Sequence, residues 1–294
     1  MIAAIRLWLL GVEPDGPPLL ADPLYRYEAR RYWTWKRYLW TALLLLLWLA
    51  GVCAYFHDLT RWAMFRGNLS VEETARLAVM FALFGRAPLS FVASTGAALC
   101  IVPEKVSGQL EQFILTPVDS WRFCLARLAG RLKGLYHFWM AMAWVTCAAL
   151  PLAVGLFGRA AGVTELGPVL VALLVGVAVQ VDLAAMLTVD AAVGMRFTAT
   201  CRSTPAALIK TYLTNFVLTP ISMWIGAAAA FGAGMVVSQR ILGMGSPWLG
   251  SPTTLTCGFL LAVLVRLGLG ALAVRVALRD ARNAIGKTFY QPEG

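Results

Sequence analysis

The chain has 294 residues, of which 60% are apolar and 14% are charged, and its mean hydropathy is +0.71. A soluble domain of this length cannot hide so much apolar surface, so the composition excludes an ordinary soluble protein and predicts a polytopic membrane protein. The formal net charge of +10 would favour nucleic acid as a partner of a soluble chain. Its distribution along this sequence instead follows the predicted membrane topology, which argues against nucleic-acid binding.

Residues 1–38 are predicted to form a cytosolic N-terminal arm followed by an interfacial helix. The apolar run in 1–21 is too short to cross a membrane, and the prolines after it do not offer the small-residue cleavage site of a signal peptide. An uncleaved signal is the alternative. Asp22 and Pro23 suit the start of a helix that runs to about Tyr38.

This predicted N-terminal helix is amphipathic. Its aromatic face and its arginines lie about 100 degrees apart on a helical wheel, which is typical of a helix lying at the membrane surface. The aromatic face is formed by Tyr25, Ala29, Tyr32 and Trp33, and the arginines are Arg26, Arg30 and Arg37. The alternative is an ordinary basic flank before the first span.

Six segments have the roughly 20 apolar residues that a membrane-spanning helix needs. They are 39–56, 80–101, 135–157, 166–189, 211–237 and 253–274. Eighteen Lys and Arg residues lie in 1–38, 103–134, 190–210 and 275–294, against four in the intervening connections 57–74, 158–165 and 238–252. Because positive residues favour the cytosolic side, both termini and the loop 103–134 are predicted to be cytosolic, with the lipid bilayer around the spans. The predicted fold class is therefore all-α.

Charged residues are rare within the predicted spans. Arg86, two residues before Pro88, is interpreted as a topology determinant near the outer surface, and a contact with substrate is the alternative. Asp182 and Arg266 lie at similar depths, about 24 and 20 Å into their spans at the helical rise. They are therefore predicted to form an intramembrane ion pair that acts as a structural clamp, with a role in transport as the alternative.

Small residues recur every four positions in the fifth predicted span, at Gly226, Ala230 and Gly234. Such a stripe lets another helix approach closely. A packing face within the chain is one interpretation, and the family resemblance described below favours a dimer or subunit interface.

The most informative stretch is the polar segment from Glu104 to Gly134, which lies between two apolar spans. Its first half is a short amphipathic segment that ends at Thr116-Pro117, and its second half is predicted to resume as a basic helix. It resembles the cytosolic loop of type-2 ATP-binding-cassette permeases at Glu104, Lys105, Gly108, Glu111, Leu115, Thr116 and Pro117. It departs from that family at Gln109, where Thr or Ser is usual, and at Ala126-Arg127, where Gly-Lys is common.

The resemblance implies that residues 39–294 form the six-helix permease domain of an exporter in the plasma membrane, the inner membrane of a bacterium or archaeon. The loop 103–134 would dock on a separate ATPase subunit, which would bind ATP and Mg²⁺, and the permease would form a homodimer or a heterodimer with a second permease. Leu110, Phe113 and Ile114 would supply the buried contact. Glu104, Lys105 and Glu111 would set its orientation, by polar contacts within the loop or with the partner.

The sequence holds no recognisable catalytic, cofactor or metal site. Gly286-Lys287-Thr288 resembles the end of a phosphate-binding loop, but Ala281 stands where that motif needs Gly and no strand precedes it. The six cysteines are scattered without metal-ligand spacing. A non-transporting structural or assembly subunit remains an alternative to an exporter, and so does a secondary transporter, which would have more charged groups near the bilayer midplane.

Overall fold

The structure, a computed structural model, describes residues 23–55, 86–107, 120–160, 166–236 and 252–290. Within these ranges every regular element is a helix and there is no strand, so the all-α prediction is confirmed. In chain order the helices are α1 (Pro23–Tyr32), α2 (Trp35–Tyr55), α3 (86–98), α4 (Val102–Val106), α5 (Ser120–Ala160), α6 (Leu166–Thr200), α7 (Thr204–Val236) and α8 (Pro252–Tyr290).

Membrane-spanning character is evident in three parts of the described chain. Arg86–Val106, Leu173–Thr200 and Gly258–Gly286 are long and apolar enough to cross a bilayer, by length and composition. Each of the six predicted spans overlaps a helix. The number of spans and the side on which the termini lie stay predictions.

The N-terminal helix is shorter than predicted. We expected it to continue to Tyr38, but α1 ends at Tyr32 and a new helix begins at Trp35. Thr34 stands before α2, where Thr is favoured as a cap, and its carbonyl accepts a hydrogen bond from the Tyr38 N–H at 3.1 Å. The predicted aromatic face exists, but it is buried inside the protein: Tyr25, Ala29, Tyr32 and Trp33 all lie in the core.

Three helices extend well beyond the predicted span limits. α5 runs for 41 residues without a break, from the polar stretch through the third predicted span. α6 and α8 continue past 189 and 274, and the extensions are joined by an ion pair, with Arg196 Nη2 2.8 Å from Asp280 Oδ2. A run of apolar residues determines only which part of a helix can lie in the membrane. Backbone hydrogen bonding allows the helix to continue into the polar sequence beyond that run.

α6 occupies a central position, in contact with α5, α7 and α8. Its buried residues Leu187 and Met195 belong to one core that also includes Leu89, Leu135 and Leu278. Gly194 lets α6 lie against α3, because a Cβ at this position would come 2.9 Å from the Cβ of Ala97. By contrast α2 and α7 expose many large apolar side chains, among them Leu39, Trp40, Leu46, Leu213, Phe216 and Trp224, which suits contact with lipid.

Candidate functional site

The polar stretch begins in the short helix α4, which is fixed to the end of α6. Pro103 occupies the first turn of α4, where a missing N–H costs nothing. The hydroxyl of Thr198 accepts hydrogen bonds from the N–H groups of Ile101 and Val102, at 3.1 and 3.0 Å. The Lys105 ammonium donates to the carbonyl of Ala199. These contacts tie both ends of α4 to one turn of α6.

Glu104 points into the protein and is shared by two arginines. Only 2% of the residue is exposed. Arg31 Nη1 donates a hydrogen bond to Glu104 Oε1 at 2.7 Å, and Arg127 Nη2 lies 2.6 Å from Glu104 Oε2. Because Arg31 belongs to α1 and Arg127 to α5, one carboxylate connects α4 to both helices.

Arg127 is at the centre of this group. It is fully buried (0% exposed), and its Nη1 lies 3.1 Å from Glu28 Oε1 and donates to the carbonyl of Cys100 at 3.3 Å. Its guanidinium also lies over the ring of Phe123, 4.5 Å from the centroid. On the next turn of α5, Arg131 Nε lies 3.4 Å from Glu28 Oε2.

We call Glu28, Arg31, Glu104, Arg127 and Arg131 the ionic cluster. The oxygens of Glu28, itself fully buried, make ion-pair contacts without a well-aligned hydrogen bond. Burial by itself would lower the pKa of Arg127, but Cys100 and the carboxylates of Glu104 and Glu28 outweigh it, so the pKa is raised. The guanidinium therefore stays charged, and removing either glutamate would increase the uncompensated positive charge of the cluster.

Two glycines on α5 make room for α1. A Cβ on Gly130 would lie 2.7 Å from the Cβ of Glu28, and a Cβ on Gly134 would lie 2.1 Å from Cδ2 of Trp33. Trp33 Nε1 donates a hydrogen bond to the carbonyl of Arg131 at 2.8 Å, which fixes the ring in this position. The four-residue spacing of Gly130 and Gly134 is a small-residue pattern that the sequence analysis did not single out.

Of the ten residues predicted to couple to an ATPase, the structure places two. Glu104 and Lys105 make polar contacts with α1, α5 and α6. Gly108, Leu110, Glu111, Phe113, Ile114, Leu115, Thr116 and Pro117 lie outside the described residues. The sequence gives no indication of a role for Glu28, and it predicts only a basic helix around Arg127 and Arg131. Their helical spacing gives no indication of which residues on other helices they meet.

A second group of charged side chains lies between α6 and α8. Arg266 Nη1 is 2.9 Å from Asp182 Oδ2, so the two residues paired by depth do form an ion pair. Gly226 of α7 faces this pair, because a Cβ there would lie 3.0 Å from Cδ of Arg266. That close approach is within the chain; for Ala230 and Gly234 only the helical backbone is described.

Asp190 lies one residue beyond the predicted end of the fourth span, so the span pattern gives no indication of its role. It is buried, and Ser90 Oγ donates a hydrogen bond to its Oδ2 at 2.5 Å. Arg86 interacts electrostatically with both Asp182 and Asp190, and its Nη2 lies 3.5 Å from the hydroxyl of Thr219. Among the described residues, two acidic and two basic side chains come together here, and we call Arg86, Asp182, Asp190 and Arg266 the inner charged group.

In the part of the chain that the structure describes, no three His, Cys, Asp or Glu side chains are grouped so that they could hold a metal ion. Comparison with known proteins found no matching family model, no matching curated protein and no matching solved structure.

Proposed function

We propose that the chain is the membrane-spanning permease subunit of an ATP-binding-cassette exporter. Separate ATPase subunits, which bind ATP and Mg²⁺, would drive it, and it would pair with a copy of itself or with a related permease. In this proposal the chain crosses the plasma membrane six times, with both termini and the loop 103–134 in the cytosol. The proposal rests on the motif that runs from Glu104 to Pro117.

The observation that carries the proposal is the way in which α4 is held. A coupling segment has to move the helices attached to it, and it can do so only through a rigid connection. Glu104 connects α4 to α1 and α5, and Lys105 connects it to α6. A force applied to the loop would therefore reach three helices through short contacts.

The length of α5 supports the same mechanism. It begins at Ser120, within the polar stretch, and has 41 residues. At the helical rise this corresponds to about 60 Å, roughly twice the thickness of the bilayer core. A tilt that starts at the loop would therefore be carried across the membrane by a single continuous helix.

The proposal is tested by changing Phe113 and Ile114 together to Asp and comparing the ATPase that co-purifies with the unmodified chain and with the variant. Two buried carboxylates would prevent an apolar surface from docking. We expect the ATPase to be lost during purification, and the stimulation of ATP turnover by the permease to be lost as well.

The matched control is Asn283→Asp, which adds a negative charge at an exposed position near the end of α8. This variant is expected to keep the ATPase and its stimulated turnover. If the Phe113 and Ile114 variant keeps both properties too, docking through this loop is wrong. Turnover that depends on an added substrate would separate an exporter from a non-transporting structural subunit.

A secondary transporter is the second candidate, and a specific observation favours it. The predicted pair of Asp182 and Arg266 is joined between the helices by two further charged side chains, Arg86 and Asp190. Charged groups at such positions are common along ion pathways. A secondary transporter needs no ATPase, so the co-purification and turnover measurements also separate these two functions.

A further inference from the structure

A cavity of about 530 Å³ lies between the α1–α2 junction, α3 and α5. Its volume is within the range of pockets that hold small ligands. The residues of its wall are partly accessible: Trp40 is 67% exposed and Phe91 is 51% exposed. The cavity therefore opens on the side of the protein where these two rings lie.

One part of the wall is strongly basic. Arg31, Arg37 and Arg131 line the cavity, and the carboxylate that lines it with them is Glu104. The ionic cluster and Arg37 together contain four arginines and two glutamates, which is an excess of two positive charges. An anionic ligand would balance this excess.

Arg37 is the arginine best placed to accept such a ligand. Among the described residues its contacts are with the neutral side chain and backbone of Tyr32: it donates to the carbonyl at 3.1 Å and lies 4.1 Å from the ring centroid. Arg131 also lies 4.1 Å from the centroid of that ring. Tyr32 thus holds two guanidinium groups beside the cavity.

The other part of the wall is apolar. Trp40, Phe91, Val92 and Leu99 line it, and the first two of these are exposed. The cavity also lies at the point where the polar helix α1 gives way to the apolar helix α2, whose sequence from Leu39 onward is almost entirely hydrophobic. Arginine and aromatic side chains at such a transition match the level of lipid headgroups.

We propose that this cavity binds an anionic phospholipid, with its phosphodiester against Arg37 and Arg131 and the start of an acyl chain against Trp40 and Phe91. A soluble phosphate would satisfy the arginines but would leave the exposed rings without a partner. A zwitterionic lipid would satisfy the rings but would not balance the excess charge. The proposal does not depend on transport or on an ATPase.

The test uses the purified full-length chain in detergent, with phosphatidylglycerol or phosphatidylcholine of identical acyl chains added. Native mass spectrometry measures how much of each lipid stays bound. We expect phosphatidylglycerol to be retained about fivefold better, and Arg37→Gln to remove that preference, since one basic side chain near anionic lipid accounts for an effect of about this size. Trp40→Ser is expected to weaken retention of both lipids.

The matched control is Arg30→Gln on α1, an exposed arginine that does not line the cavity. It removes the same charge and should leave the preference for phosphatidylglycerol within about twofold of the unmodified chain. An equal loss in Arg30→Gln and Arg37→Gln would mean diffuse surface attraction and would overturn the proposal. Equal retention of the two lipids in the unmodified chain would overturn it as well.

A further arm separates a lipid from free phosphate. An excess of inorganic phosphate should leave phosphatidylglycerol bound, because phosphate makes no contact with the apolar wall. If phosphate displaces the lipid completely, the cavity is a site for the free anion and the lipid proposal is wrong. Arg37 is exposed and outside the ionic cluster, so Arg37→Gln should fold, which a melting curve of each variant checks.

Discussion

Arg127 shows how a single buried side chain can join distant parts of the chain. Its guanidinium is between Glu28 of α1 and Glu104 of α4, which are separated by 76 positions in the sequence. Burying these charges costs free energy, and the cost is offset only while all partners are present. The ionic cluster therefore favours one arrangement of α1, α4 and α5 over others.

Replacing Arg127 by Met, which has a similar reach but no charge, should leave Glu104 with Arg31 and Glu28 with Arg131 as their remaining ion-pair partners. We expect the free energy of unfolding to fall by about 1–3 kcal/mol, measured by denaturant unfolding in detergent. Arg279→Met, at an exposed position on α8, should change it by no more than about 0.5 kcal/mol. Similar losses in the two variants would contradict a structural role for the ionic cluster.

Asp182 and Arg266 are each other's ion-pair partner. The effect of neutralising one of them should therefore depend on whether the other is still charged. Neutralising one of them, by Asp182→Asn or Arg266→Gln, leaves an unpaired charge among apolar helices. We expect either single variant to lower the folded yield more than the double variant does. Fluorescence-detected size-exclusion chromatography measures that yield, and additive losses would show that the residues are not coupled.

At the level of elements, α1 is attached to the body of the protein by its fit against α5. The polar surface of α1 would allow it to lie at a membrane surface, but its aromatic face is buried instead. Gly130 and Gly134 provide the space, and Glu28 provides the charge that meets Arg127 and Arg131. Shape and charge therefore act together at this contact.

Gly134→Ala should disturb this contact, because its Cβ would overlap the ring of Trp33. We expect a loss of about 1–3 kcal/mol in stability, with faster hydrogen exchange in 23–32 as α1 loosens. In a chain that already carries Trp33→Ala, Gly134→Ala should add little further exchange, because the ring that its Cβ would overlap is gone.

The control for this prediction is Gly268→Ala on α8, where no atom lies within 4 Å of the added Cβ. Alanine favours a helix over glycine by about 1 kcal/mol, so this variant should be neutral or slightly more stable. If Gly134→Ala behaves in the same way, α1 does not depend on the glycine groove.

In the whole molecule, α6 connects the two groups of charge. Its C-terminal end holds α4 through Thr198 and Ala199, and its middle carries Asp182 and Asp190. The ionic cluster and the inner charged group are thus attached to one continuous helix. In the proposed exporter, movement of the loop would be transmitted to Asp182 and Asp190 through α6 as well as through α5.

The sequence by itself determined the helical class and the membrane character, because both follow from long apolar runs that need no tertiary information. It also indicated the ion pair of Asp182 and Arg266, since depth along a span is set by counting residues. Tertiary structure decided where α1 ends, that its aromatic face is buried, and that Glu104 meets Arg127. Those features depend on which helices touch, and neither the aromatic face of α1 nor the spacing of Gly130 and Gly134 on α5 specifies the element that it meets.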